Sequence, residues 1–259
     1  MKFKKIVTIA LSLVMVVFLL SLTVSASNSA PRFNKSVLEL DVGQSETLQV
    51  VGHTGKTQWG SSDKEVAEVK DGRVVAKKPG TATIMAKISE DSILRCQLTV
   101  FRAYSEGSYK VGKDLPAGEY VLITISDRMG YFSINSDSSG DFKSIVANDN
   151  FTNRSIITVK NDQYLELKRC KAYRINAAPK FRIVDNKIED GMYLIGVDIP
   201  AGEYNVIATG DRSGYLAVYS DSTHNIRSIV TNDNFAKNKY VTVTDGQYLQ
   251  LKRAHIKTS

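Results

Sequence analysis

The sequence predicts an all-β chain: a β-sandwich followed by two tandem small β-domains related by an 84-residue shift. Three observations carry this expectation. Residues 36–101 break into short runs of alternating apolar and polar residues. Glycine and proline-glycine turns divide those runs, and no helical periodicity intervenes. Beyond residue 105 the chain repeats itself without a gap, Tyr109–Arg169 falling on Tyr193–Arg253 with roughly half the positions identical.

The first segment, MKFKKIVTIALSLVMVVFLLSLTVSA, reads as a secretory signal over residues 1–26. Lys2, Lys4 and Lys5 form a basic start, Ile6 to Leu20 an apolar centre, and Val24-Ser25-Ala26 a small-residue cleavage site. The apolar run is short for a bilayer span of about 20 residues. No cysteine follows it for lipid attachment, and the end LQLKRAHIKTS carries no sorting motif. The expected location is secreted and extracellular, with non-covalent association to the cell wall as the variant. No membrane span is expected after cleavage.

SVLELDV, ETLQVVG, TQW, EVAEVK, RVVAK, TATIMAKI and LRCQLTV supply seven candidate strands, with breaks at Gly43, Gly55, Gly72 and Pro79-Gly80. So many strands in so short a segment favour a sandwich. Trp59, the chain's one tryptophan, is expected in the core. Strand parity puts Cys96 on a buried face with Leu94, Leu98 and Val100. It puts Cys170 on a polar face with Glu166 and Lys168. A core thiol and a surface thiol, unbonded to each other, are expected.

The run WGSSDKEVAEVKDGRVVAKKPGTATI, residues 59–84, resembles the bacterial immunoglobulin-like domain, group 2. Trp59, Ser61, Ser62, Val66, Ala67, Val69, Gly72, Val74, Ala76, Gly80, Ala82 and Ile84 carry the match in residue type and spacing. The resemblance implies an Ig-like β-sandwich over residues 32–102, used in exported surface proteins as a spacer or adhesion module. It brings no catalytic residue.

The duplication defines β-repeat 1 over residues 106–175 and β-repeat 2 over 190–257. Its period exceeds that of solenoid units, so each copy is expected to be a small domain with its own core. DLPAGEY (114–120) and DIPAGEY (198–204) resemble repeats of exported Gram-positive-type proteins, a likeness that names no activity. Pro-Ala-Gly reads as a three-residue hairpin loop, which leaves Asp114, Glu119, Asp198 and Glu203 at water-exposed strand ends. Asn161-Asp162 and Asp245-Gly246 read as a second hairpin, and DRMGY and DRSGY as a turn. SIVANDNF and SIVTNDNF place polar side chains beside an aromatic one in both copies. They read either as an Asx turn capping a strand or as a surface patch. The patch reading nominates Asn148, Asp149 and Phe151 with Asn232, Asp233 and Phe235, then Arg128 and Arg212, as ligand-binding residues. Tyr109, Tyr120, Tyr131 and Tyr164 recur in the second copy, where strand packing accounts for them.

Formal net charge is +7, and removing the signal with its three lysines leaves +4, scattered along the chain. Neither a basic patch nor a nucleic-acid module is present, so no nucleic-acid partner is expected. Weak attraction to an anionic wall or membrane surface is compatible with this charge. His53, His224 and His255 have no metal-ligand spacing, and Asn135 to Val146 lacks the glutamate that closes a calcium loop. No G-x-S-x-G, phosphate loop or Cys/His pair appears. No catalytic residue, metal or cofactor is assigned. The expected function is a non-catalytic binding, adhesion or spacer module at the bacterial envelope, its partner an envelope polymer or another exported protein. The alternatives are an accessory or inhibitor protein docking through the repeats and, behind it, a hydrolase of envelope polymers.

Overall fold

The computed structural model describes residues 30–258; the signal expected over 1–26 lies outside the described residues. Those residues form strands, joined by loops and short 3-10 turns. The first unit contains β1 (Arg32–Phe33), β2 (Val37–Asp41), β3 (Ser45–Thr47), β4 (Val50–Val51) and β5 (Gln58–Ser61). It continues with β6 (Ala67–Lys70), β7 (Arg73–Ala76), β8 (Gly80–Ser89) and β9 (Ser92–Phe101). β2-β9-β8-β5 make one sheet and β3-β7-β6 another. The run ETLQVVG divides, because its start pairs with β7 and its end with β1. Leu38, Leu48, Ile84, Cys96 and Leu98 fill the core, as alternation requires. Trp59 stands at the margin of that core, half-buried, with its ring stacked on Phe33 at 5.7 Å.

Repeat 1 comprises β10 (Gly107–Lys110), β11 (Gly118–Thr124), β12 (Gly130–Asn135), β13 (Ile145–Phe151), β14 (Arg154–Val159), β15 (Tyr164–Lys168) and β16 (Cys170–Arg174). Repeat 2 begins with β17 (Lys187–Ile188) and then has β18 (Gly191–Leu194), β19 (Gly202–Ala208), β20 (Gly214–Tyr219), β21 (Ile229–Phe235), β22 (Asn238–Val243), β23 (Tyr248–Lys252) and β24 (Ala254–Lys257). β18 to β23 have the bounds of β10 to β15 moved by 84 residues. The sheet orders correspond as well: β10-β15-β12-β13 with β18-β23-β20-β21, and β14-β11-β16 with β22-β19-β24. Each copy buries its own cluster, around Tyr120, Leu122, Phe132 and Leu165 in one and Val206, Leu216, Leu249 and Leu251 in the other.

Both expected hairpins are corrected by the pairing. β10 pairs with β15, whereas β11 pairs with β14 and β16, so Pro116-Ala117-Gly118 carries the chain from one sheet to the other. Asn161-Asp162 and Asp245-Gly246 likewise join strands of different sheets. Turn chemistry reports that the chain bends, and the same residues serve a hairpin or a corner between layers. At the first corner the Asp114 carboxylate accepts the Lys110 N–H at 2.7 Å, and the Tyr120 hydroxyl donates to the Pro116 carbonyl at 2.6 Å. Asp198 and Tyr204 repeat both bonds.

The expected surface position of Cys170 is also corrected: its side chain is fully buried in the core of repeat 1. Arg169 between β15 and β16 is left-handed, with φ of 55°, and this kink moves the chain to the other sheet and reverses the face of the next residue. Arg253 does the same at φ of 51°. Such a conformation costs a non-glycine residue about 1–3 kcal/mol. Hydrogen bonds offset it: the Arg169 N–H donates to Glu106 and its Nε to the Met129 carbonyl, and Arg253 bonds Asp190 and Ser213 in the same way. Cys96 and Cys170 are free thiols in separate cores.

The first unit meets repeat 1 through Asp41, which accepts from Lys171 Nζ at 2.6 Å and the Tyr173 hydroxyl at 3.2 Å. Glu39 pairs with Arg182 at 2.6 Å. Among the described residues no helix is long and apolar enough to cross a membrane.

Candidate functional site

NDNF lies inside β13 and β21, so the Asx turn does not describe it, and the surface patch depends on which of its side chains face outward. Strand alternation sends Phe151 and Phe235 inward, where they are 3% and 7% exposed. The exposed aromatic that the patch required is therefore absent from both copies. Phe151 pairs across the ladder with Gly130, and Phe235 with Gly214. A Cβ on Gly130 would stand 2.7 Å from the Phe151 ring, and one on Gly214 2.8 Å from Phe235. The two motifs recur together because the ring of one lies over the glycine of the other. Asn148 and Asn232 point to solvent, and Arg128 and Arg212 are exposed on their turns.

The two aspartates part company. Asp149 accepts from Gln250 Nε2 at 3.0 Å and Lys252 Nζ at 2.5 Å, both in repeat 2. Asp233 pairs instead within its own repeat, with Lys239 Nζ at 2.6 Å. Lys239 occupies the position that Ser155 holds in repeat 1.

Asp149 belongs to a contact in which the outer face of β14-β11-β16 packs on the outer face of β18-β23-β20-β21. Its apolar centre is Val121, Ile156, Met192, Ala217 and Tyr219, buried together, with Ile123, Leu194, Tyr215 and Tyr248 around them. Beside it Arg154 Nη2 donates to Asp198 Oδ2 at 3.0 Å, the two side chains being 8% and 9% exposed. The guanidinium also lies over the rings of Phe181 and Tyr193, at 5.2 and 5.4 Å from their centroids.

Glu119, expected in water, accepts from the Ser222 and Tyr248 hydroxyls, each at 2.6 Å. Burial, and then the bond to this carboxylate, push the Tyr248 phenol above its usual range, so it stays a donor. Thr158 N–H donates to the Ser222 carbonyl at 2.9 Å, which places the Ser222 loop along the outer edge of β14. Next in that loop, His224 Nε2 donates to the Ile156 carbonyl at 2.9 Å, and its ring meets Phe132 at 4.9 Å. Burial lowers the His224 pKa below its ordinary value, which holds the ring neutral.

A serine beside a glutamate suggests nucleophilic chemistry, but Ser222 is 1% exposed and no substrate reaches it. Among the described residues, no group of three or more His, Cys, Asp and Glu side chains converges as metal ligands. The arrangement can hold two sheets face to face. Of the concavities, one borders this contact, one lies on the free side of repeat 2, and one of about 700 Å³ lies in the first unit beside Trp59 and Glu68. A cleft of about 400 Å³ beside the inter-repeat segment is lined by Ile123, Asn153, Arg154, Phe181, Arg182 and Tyr193. A smaller one of about 280 Å³ lies between β21 and β22, among Leu216, Asn232, Asp233, Lys239, Tyr240 and Thr242.

Identity between the copies misses Arg154, Gln250 and His224, whose counterparts are Asn238, Glu166 and Gly140. Difference between the copies is the signal that finds them. His224 keeps the left-handed backbone of its glycine counterpart, φ of 56° against 77°. A histidine at a position suited to glycine marks a side chain held there by its contacts. A scan against protein-family models gives no match, and a search of curated proteins gives none.

Proposed function

We propose that this chain is an exported, non-catalytic protein of the bacterial envelope that acts as a rigid spacer or binding module. One observation supports the reading most. Three of the carboxylates repeated in both copies, which would serve as a site if they faced a cleft, are engaged in binding one repeat to the other. Glu119, Asp149 and Asp198 all accept hydrogen bonds across the contact. Such bonds, together with those from Lys171 and Tyr173 to Asp41, favour a fixed spacing between the first unit and repeat 2, which suits a module that presents something at a distance. The resemblance of residues 59–84 to the bacterial immunoglobulin-like domain, group 2, points the same way and supplies the expectation of export.

Spin labels at exposed Asp91 and Asp211 test rigidity. A single narrow distance distribution is expected, and a broad one refutes the spacer. Capture on purified cell-wall material, set against capture of secreted proteins, tests the partner. Binding to neither refutes the binding half of the reading.

A second reading, an accessory protein docking through the repeats, draws on the free outer face of repeat 1. Half-buried Tyr131 and Tyr164 lie there, with Lys168 and Lys110 over their rings at 5.5 and 5.9 Å. Their counterparts Tyr215 and Tyr248 pack in the contact between repeats.

A further inference from the structure

We propose that the repeat carries a built-in stacking contact that this chain uses once and closes at both free ends. The contact is heterologous: the outer face of one sheet of repeat 1 meets the outer face of the other sheet of repeat 2. A heterologous contact between like units extends into a chain of units unless its ends are blocked. Repeat 1 leaves the face around β10, β12 and β15 free, and repeat 2 leaves the face around β19 and β22 free. By the 84-residue correspondence these are the two halves of the contact already made inside the molecule.

At both free faces most of the apolar side chains at the centre of the contact have been replaced, although Tyr131 and Tyr164 keep the places of Tyr215 and Tyr248. Met192, Leu194, Ala217 and Tyr219 correspond to Ser108, Lys110, Ser133 and Asn135 on repeat 1. Val121 and Ile156 correspond to Asn205 and Tyr240 on repeat 2. Buried apolar area drives such packing at about 25 cal/mol per Å². Polar side chains in its place must shed water with no matching partner. The apolar centre is therefore missing from both ends at once.

One polar contact, that of Asp149, has also been closed internally. In the interior contact Asp149 takes its cation, Lys252, from the other repeat, assisted by Gln250. On the free face of repeat 2, Asp233 takes Lys239 from the neighbouring strand of the same repeat. On the free face of repeat 1, Lys168 is held by Glu166 at 2.8 Å, and Glu166 stands where Gln250 stands. Each end thus satisfies within one repeat the charges that correspond to the Asp149–Lys252 pair. The wedge is lost too, since Gly140 takes the place of His224. Repeat arrays need terminal units with polar outer faces for the same reason.

Sedimentation velocity tests this on three forms of the full chain. One carries Ser108→Met, Lys110→Leu and Glu166→Gln to open the first end. Another carries Asn205→Val, Lys239→Ser and Tyr240→Ile to open the second. The unaltered protein and each variant alone should sediment as monomers, and an equimolar mixture of the two variants should give about a two-fold rise in mass. Association of the unaltered protein that Lys168→Glu abolishes would overturn the proposal. So would a mixture that stays monomeric while both variants keep native circular dichroism. Should an opened variant fail to fold, the converse exchange decides. Ser155→Lys with Gln250→Glu writes the closed-end pairs into the interior contact. Limited proteolysis within residues 176–186 should then become at least several-fold faster, and an unchanged rate refutes the idea.

Discussion

Asp114 and Asp198 occupy the same corner of the two repeats, and comparing their removal isolates the buried ion pair of the contact. Each accepts a backbone N–H, Asp114 from Lys110 at 2.7 Å and Asp198 from Leu194 at 2.9 Å. Asp198 alone also receives Arg154, with both side chains over nine-tenths buried. Asp114→Ala removes one exposed hydrogen bond, a loss of about 0.5–1.5 kcal/mol. Asp198→Ala removes the same bond and leaves a guanidinium without its counter-ion in a buried place, which costs about 3–5 kcal/mol. The neighbouring rings of Phe181 and Tyr193 retain some of the cation's stabilisation, so the lower half of that range is expected. The difference between the variants should be about 2–3 kcal/mol. Urea unfolding read by near-ultraviolet dichroism suits the purpose, because all 12 tyrosines lie at or beyond Tyr104 and report on the repeats. Equal losses for the two variants would refute the reading that Arg154 depends on Asp198.

Three further outcomes follow from the same geometry. His224 has a folded-state pKa below the ordinary 6.5 because burial disfavours the imidazolium; Asp149 and Asp221 oppose that shift and Lys252 adds to it. The unfolded chain gains a proton near that pH which the folded chain refuses, so the His224 contribution is complete above it and declines as pH falls through it. Melting curves from pH 8 down to pH 5 should show this, and His224→Asn should remove that part of the slope. Cys96 and Cys170 should resist a disulfide reagent in the native protein and react once it is unfolded, burial having pushed the Cys170 thiol up to about 11; rapid native labelling of either refutes its placement. Gly130→Ala should destabilise repeat 1 by about 1–3 kcal/mol through overlap with Phe151, and adding Phe151→Leu should recover part of the loss in a thermal melt.

Alternation of apolar and polar residues determined the strands, because a side-chain period of two is written directly into a half-buried sheet. It placed Cys96, Leu98 and Val100 inward, and the gapless duplication anticipated matching strand bounds across 84 residues. The presence of bends at Pro116-Ala117-Gly118 and Asn161-Asp162 was legible too. Which strands those bends join was not, since the same turn residues serve a hairpin and a corner between sheets. Cys170 was placed on the wrong face because parity assumes an unbroken strand, and nothing local to Lys168-Arg169-Cys170 announces a left-handed arginine held by Glu106, 63 residues away. The fate of the repeated carboxylates was likewise decided in three dimensions. Asp149 and Asp233 sit in the same tetrapeptide, yet one is bound by Lys252 of the other repeat and the other by Lys239 beside it. A side chain's partner depends on what packs against its face. In a stacked pair of identical folds, the two faces of each unit meet different neighbours.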